Sequence, residues 1–316
     1  MPAPYQINQV LSTGLLRSAI FDDLIARLVA AAPPHAVVTK SIRPRRGADV
    51  FHYHRPNLER RLRADSVVTV HHDLREVEPW LDLRSFLPRY REAKVVHCLN
   101  TMQQAFLAEH GIQQVRVIPH GVDRRFLPLP DAPRRLAAGR LRLGLFSRRY
   151  ARGVKGEALF EALLDHLDAD RVSFLLVGEE RWRDAELARA KGFAAECYER
   201  PPYRLIDALV GSIDALLILS RYEGGPASLP EALGSGVPVL ATPVGMVPDF
   251  VQDGRNGLIL TGDATLDGAR IMALLDESDA DSRYGRLADG AFHAAPAIPG
   301  WDDVMRRWLE MYSVPA

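Results

Sequence analysis

The chain has 316 residues, enough for two ordinary domains, and with 47% apolar and 25% charged residues it has the composition of a folded globular protein rather than a disordered or fibrous one. No apolar run approaches the ~20 residues a spanning helix needs, and the opening MPAPYQINQVL has no basic region ahead of an apolar core, so neither an anchor nor a secretory leader is expected. Cys98 and Cys197 lie far apart without metal spacing, which excludes a disulfide framework and points to a reducing cytoplasm.

In chain order, short apolar runs alternate with helical patterns, as parallel βαβ units require. Strands are predicted at Tyr5–Leu11, Ala36–Lys40, Asp49–Tyr53, Ser66–His71, Lys94–Leu99 and Val115–Pro119. Helices are predicted at Leu15–Ala31 and at Thr101–His110, the second stopped by Gly111. Leu127-Pro-Leu-Pro-Asp-Ala-Pro133 carries three prolines in seven residues and reads as a linker. The pattern restarts with a strand at Leu141–Phe146, a helix at Gly156–Leu167 with Leu159, Phe160, Leu163, Leu164 and Leu167 on one face, and a strand at Val172–Val177. A last amphipathic helix spans Trp301–Tyr312.

The densest signal is LLILSRYEGGPASLPEALGSGVPVL, residues 216–240. Glu223 and Glu231 stand eight positions apart. Glu223 sits where the strand Ala215–Leu219 runs out, and Glu231 lies in a helix expected to open at Pro226 and stop at Gly234 and Gly236. Gly224 and Gly225 allow close approach of backbone to a ligand, and the helix start behind them offers N–H donors to an anion. A strand, a Gly turn and a helix alone would suit an ordinary βα unit with solvated glutamates. The residues that follow add a small strand at Gly236–Thr242, the turn from Gly245 to Val251 and Asp253-Gly-Arg-Asn-Gly257-Leu-Ile-Leu260.

Taken in order, these motifs resemble the retaining glycosyltransferases of family 4, with their E-x7-E motif and GT-B fold. The resemblance runs over most of the chain from Ala48 onward, and Ile118-Pro-His-Gly-Val-Asp123 is similar to the family's I-P-N-G-V-D. It implies an α/β architecture of two Rossmann-like domains with parallel sheets facing across a cleft. Residues 1–128 would form a short acceptor-binding domain, 129–295 the nucleotide-sugar domain, and 296–316 a helix crossing back to the first.

The resemblance also assigns roles. Arg149-Tyr-Ala-Arg-Gly-Val-Lys155-Gly156 matches R-x5-K-G, whose Arg and Lys grip the donor diphosphate. With 36 arginines and only four lysines in the chain, a Lys at this place is informative where an Arg alone is not. Glu223 would bind hydroxyls of the donor sugar and Glu231 those of the ribose, while Gly224, Gly225, Ala227, Ser228 and Leu229 would line the donor. The family's E-G-F-G-L is here Glu223-Gly-Gly-Pro-Ala, which lacks the aromatic and one N–H. His71, or His72 one residue on, would lie close to the reacting sugar. Gly14 would meet the phosphates, although Ser12-Thr13-Gly14 has one glycine where the family has two.

The expected activity is metal-independent, retaining transfer from a nucleotide-diphosphate sugar (UDP- or GDP-linked) by front-face displacement, without a cofactor. The acceptor would be a glycan, lipid-linked or small-molecule hydroxyl. A sugar-nucleotide-binding module without turnover, or an epimerase or hydrolase of the same fold, is the alternative. The D-x-D pairs Asp168/Asp170 and Asp279/Asp281 follow no strand end and are not expected to hold metal, and His52/His54 read as ordinary polar positions sharing one face of a strand. Residues 1–130 carry 18 Lys and Arg against 12 Asp and Glu, so the remainder is acidic by the same margin. No nucleic-acid motif accompanies the clusters Arg43/Arg45/Arg46 and Arg60/Arg61/Arg63. They suit either a solvated face or peripheral contact with an anionic membrane.

Overall fold

A computed structural model describes residues 3–12, 19–137, 139–276 and 282–314. The chain divides into two units, Met1–His120 with Gly300–Ala316, and Gly121–Pro299. The expected boundary at residue 128 therefore moves upstream of the proline-rich run. The reason is local: Leu127 is fully buried, and Arg124 donates to the carbonyls of Gly234, Ala295 and Ile298. These bonds make residues 121–130 part of the second unit.

Unit 1 contains β1 (Tyr5–Val10), α1 (Ala19–Ala31), β2 (Ala36–Ser41), β3 (Val50–Tyr53), β4 (Ser66–Thr69), α2 (Leu83–Glu92), β5 (Val95–Cys98), α3 (Thr101–Glu109) and β6 (Val115–Val117). All its strands pair in parallel, in the order β2-β1-β3-β4-β5-β6. Six predicted strands are thus found, five of them trimmed by one or two residues at their ends and β2 one residue longer, where Ser41 still pairs with Val10. The sequence pattern gave no warning of α2, whose Pro88 lies inside the helix.

Unit 2 contains β7 (Leu141–Phe146), α4 (Glu157–Leu163), β8 (Val172–Val177), α5 (Trp182–Ala190), β9 (Ala194–Tyr198), α6 (Ile206–Gly211), β10 (Ala215–Ile218), α7 (Ser228–Gly234), β11 (Val239–Ala241), α8 (Val247–Phe250), β12 (Gly257–Ile259), α9 (Ala264–Met272) and α10 (Arg283–Ala294). Its sheet is also parallel, in the order β12-β11-β10-β7-β8-β9. The order reverses between β7 and β10, so the loops leaving these neighbouring strands emerge side by side, where open α/β sheets bind ligands. Leu143, Leu145, Phe174, Leu217 and Leu240 form the buried centre beneath them.

The final helix, α11 (Trp301–Met311), belongs to unit 1. Its apolar face, Val304, Met305 and Trp308, packs with Ile7, Leu24, Leu28 and Val67. Among the described residues no helix is long and apolar enough to cross a membrane.

Candidate functional site

The loop after β7 holds Arg149 and Lys155, and the loop after β10 holds Glu223. Three contacts lock these loops together. Arg221 N–H donates to the Val154 carbonyl at 2.9 Å, Lys155 Nζ donates to Glu223 Oε1, and Gly156 lies against Leu219. Gly156 is left-handed (φ +81°), and a Cβ there would come within 2.0 Å of the Leu219 carbonyl oxygen. Only glycine permits that approach. A third loop joins them, for a Cβ on Gly245 would sit 3.1 Å from the carbonyl oxygens of both Glu223 and Gly224.

Each charged group is held in place. Glu223 Oε1 also accepts from Ser220 Oγ at 3.0 Å, and both Lys155 and Glu223 are largely sheltered, with side chains 15% and 10% exposed. Arg149 Nε donates to Asp184 Oδ1 at 3.2 Å. The other oxygen of Asp184 accepts from Arg181 Nη1 at 2.6 Å, while the fully buried Arg181 guanidinium also donates to Ser147 O and Oγ. This arrangement lets two arginines share one buried carboxylate. Asp184, in α5, and Arg181, just before it, carry no motif signal, because they reach the loop only through the fold. Glu157, at the start of α4, accepts the Tyr150 N–H at 3.2 Å and shapes the same loop.

Glu231 lies nearer the start of its helix than an opening at Pro226 implies. Pro226 precedes the helix, α7 begins at Ser228, and Glu231 stands in its first turn, accepting from Tyr203 Oη at 2.9 Å. Leu229 is fully buried and its N–H goes to the Pro226 carbonyl, so its side chain is core rather than lining. Pro230 removes a further N–H from the helix start. Of the remaining expected donor-lining positions, Ala227 is exposed, Ser228 and Gly225 are half-buried and Gly224 is buried. Gly14 lies outside the described residues.

In unit 1, His71 follows β4, and its Nε2 lies 3.1 Å from Nδ1 of His54, with Phe21 packed edge-on at 4.9 Å between ring centres. His72 turns away and packs against Phe86. His52 and His54, set aside as ordinary polar positions, are both buried on one side of β3. With His97, Gln9 and Thr69, they are part of the polar interior of this unit. Burial pushes all these imidazoles towards the neutral form, His54 to about 3 and His97 to about 4. Asp168 caps its own turn, accepting the Asp170 N–H at 2.9 Å, and Asp279 and Asp281 lie outside the described residues. Among the described residues no three His, Cys, Asp or Glu side chains converge as metal ligands do.

Residues 141–277 match the family model described as glycosyl transferases group 1. A D-inositol 3-phosphate glycosyltransferase of Thermomonospora curvata is 32% identical over 117 residues, 37% of this chain and 26% of that protein. Its counterpart in Arthrobacter sp. strain FB24 is 31% identical over 215 residues, 63% of this chain and 49% of that protein. The chain thus aligns with about a quarter to a half of the length of these curated relatives. Among solved structures, the sucrose-phosphate synthase of Thermosynechococcus elongatus superposes with a TM-score of 0.74 at 16% identity, covering 98% of both chains. Anabaena HepE, in complex with UDP and glucose, gives 0.72 at 15% identity over 98% of this chain and 100% of its own. Residues 141–277 therefore match the group 1 glycosyltransferases, and the chain carries the GT-B fold of two Rossmann-like domains, each on its own parallel sheet.

Proposed function

We propose that the protein transfers a sugar from a nucleotide-diphosphate donor to an acceptor hydroxyl, with retention of configuration and without a metal ion. The observation that carries this reading is the pairing of Lys155, on the loop that also holds Arg149, with Glu223 on the adjacent loop, at the point where the unit 2 sheet reverses its order. A departing diphosphate accumulates negative charge, and fixed cations at that position stabilise it most as the bond lengthens. Lys155 and Arg149 supply such charge from side chains alone.

The pre-formed ion pair suggests how the donor would be received. An incoming diphosphate competes for Lys155, and the ammonium group moves from carboxylate to phosphate. Glu223 is then free to accept hydrogen bonds from hydroxyls of the sugar, with Ser220 keeping its orientation. Glu231 accepts from the ribose hydroxyls, and Gly224, Gly225, Ala227 and Ser228 line the donor between the two acids. In the reaction, the anomeric C–O bond to the diphosphate breaks as the acceptor oxygen bonds on the same face. The acceptor proton passes to the departing phosphate oxygen. On unit 1, His71 meets a hydroxyl of the substrates. The curated relatives are named for inositol 3-phosphate and several of the solved neighbours hold UDP, which supports a UDP-type donor and a polyol acceptor.

The test is a transfer assay over a panel of nucleotide sugars in excess EDTA, with the wild type and Lys155→Ala. Turnover persists in EDTA for the wild type and falls by about 100-fold in the variant, the scale of one lost transition-state charge partner. Abolition by EDTA with rescue by Mn2+ sinks the metal-free reading. An unchanged rate in Lys155→Ala sinks the assignment of the loop.

A further inference from the structure

Outside the charged loops, a single file of hydrogen bonds runs through the interior of unit 1. It starts at the Ile118 carbonyl, which can only accept, and His97 Nε2 lies 2.8 Å from it. His97 Nδ1 is 2.9 Å from Thr69 Oγ1, and Thr69 Oγ1 is 2.6 Å from His52 Nε2. His52 Nδ1 is 2.6 Å from Tyr312 Oη, which lies 3.2 Å from Gln9 Nε2. Gln9 Oε1 is 2.8 Å from His54 Nε2, and His54 Nδ1 is 3.1 Å from His71 Nε2.

A neutral imidazole has one donor and one acceptor nitrogen, and a hydroxyl has one proton to give. Burial keeps these rings neutral. The direction of every bond then follows from the carbonyl end. His97 donates to Ile118, so its Nδ1 accepts the Thr69 proton. Thr69, its proton spent, accepts from His52 Nε2, and His52 Nδ1 accepts from Tyr312. Tyr312 in turn accepts from the Gln9 amide, whose oxygen accepts from His54 Nε2. His54 Nδ1 is left as an acceptor, and His71 Nε2 must donate to it. Packing holds the rings in register: Trp308 lies 4.9 Å from His52 and 5.2 Å from His97, and Phe21 lies against both His54 and His71. No group among the described residues bonds His71 Nδ1.

We infer that this relay fixes His71 as the Nε2–H tautomer, so that its Nδ1 lone pair is a hydrogen-bond acceptor for a substrate hydroxyl. Gln9, Tyr312 and His54 are then positioning residues. Tyr312, next to the last helix, thereby sets the proton on a histidine that follows β4. The role of Nδ1 rests on the glycosyl-transfer reading, whereas the tautomer itself does not.

Long-range 1H–15N correlation spectra of the full-length, 15N-histidine-labelled protein report each ring's protonated nitrogen without any substrate. The wild type shows His71 with the proton on Nε2. In Tyr312→Phe, Gln9 loses its acceptor and is free to turn its amide, so both directions of the outer segment become available and His71 shows a mixture. Thr69→Val, which removes the hydroxyl between His52 and His97, gives the same readout if Tyr312→Phe does not fold. In transfer assays Tyr312→Phe loses roughly fivefold in kcat, the scale of one neutral hydrogen bond, with nucleotide affinity unchanged. His71→Asn, whose Oδ1 sits near the place of Nδ1, retains more activity than His71→Gln. A proton on His71 Nδ1 in the wild type, or an unaltered tautomer in both folded relay variants, overturns the relay. Equal activity of the Asn and Gln variants overturns the acceptor role. A protein that moves no sugar yet shows both tautomer results overturns the glycosyl-transfer reading and leaves the relay standing.

Discussion

At the scale of single residues, the two acids of the E-x7-E pair have different company, and their substitution should separate accordingly. Glu223 is bound to Ser220 on its own loop and to Lys155 on the loop after β7. Glu231 is bound to Tyr203 from outside that cluster. Glu231→Ala is expected to weaken binding of the free nucleoside diphosphate by roughly tenfold or more, since hydrogen bonds to a charged acceptor contribute about 1.5–3 kcal/mol. Glu223→Ala should leave that affinity nearly unchanged, or raise it by releasing Lys155, while depressing sugar transfer. Titration calorimetry with the nucleoside diphosphate reads both, and equal losses in the two variants would contradict the division. Arg149 shows why residue type alone is a weak guide in a chain with 36 arginines. Its place is distinguished by Asp184 and the buried Arg181 behind it, which no local spacing announces.

At the scale of elements, the loops depend on glycines that the pattern of strands and helices cannot rank. Gly156 and Gly254 both have positive φ, at +81° and +73°. A Cβ at Gly254 meets nothing within 4 Å, whereas at Gly156 it strikes the Leu219 carbonyl. Gly254→Ala should therefore cost about 1–2 kcal/mol, the left-handed backbone term alone. Gly156→Ala adds overpacking of about 1–3 kcal/mol and should separate the two loops. Urea melts that rank the two variants equally would contradict this packing. The histidine-rich centre of unit 1 makes a second prediction at this scale. Its imidazoles have folded pKa values below the ordinary 6.5, with His54 near 3 and His97 near 4. Between pH 6.5 and about 4 the unfolded chain binds more protons than the folded one, so stability falls with acidification through that window and is fully present above it. Thermal melts should show a lower Tm at pH 5 than at pH 7.5. Substituting His97 by Gln should flatten the slope, and an unaltered slope would show that other groups set it.

At the scale of the whole molecule, the excess positive charge of the N-terminal part meets exposed apolar side chains. Leu58, Val77 and Trp80 are 57%, 82% and 54% exposed, Arg60, Arg61 and Arg63 follow Leu58 in the chain, and the Arg55 guanidinium lies over the Trp80 ring. Basic residues near an anionic surface contribute about 1 kcal/mol each, and an apolar side chain inserted at the interface adds to this. The protein should co-sediment with anionic vesicles at low salt and be released as ionic strength rises through about 0.15 M, where screening reaches about 8 Å. Replacing Arg60, Arg61 and Arg63 with Ser should abolish binding without changing donor affinity. No co-sedimentation at low salt would favour a soluble acceptor.

What the sequence determined by itself is the alternation that makes two parallel sheets, because buried strands and amphipathic helices write their periods directly into the chain. It also placed Arg149, Lys155 and Glu223 on loops at strand ends and Glu231 in the helix that follows, since Gly turns and helix starts are local features. Tertiary structure decided the rest. The boundary moved to residue 121 because Arg124 finds its carbonyl acceptors more than a hundred residues away. The helix after Glu223 opened at Ser228, two residues past Pro226. His52 and His54, two polar residues on a strand, became part of a buried relay because β1, β4, β5 and α11 bring Gln9, Thr69, His97 and Tyr312 to them. Hydrogen bonds of that kind span up to 303 positions in the chain, and no window along the sequence can contain them.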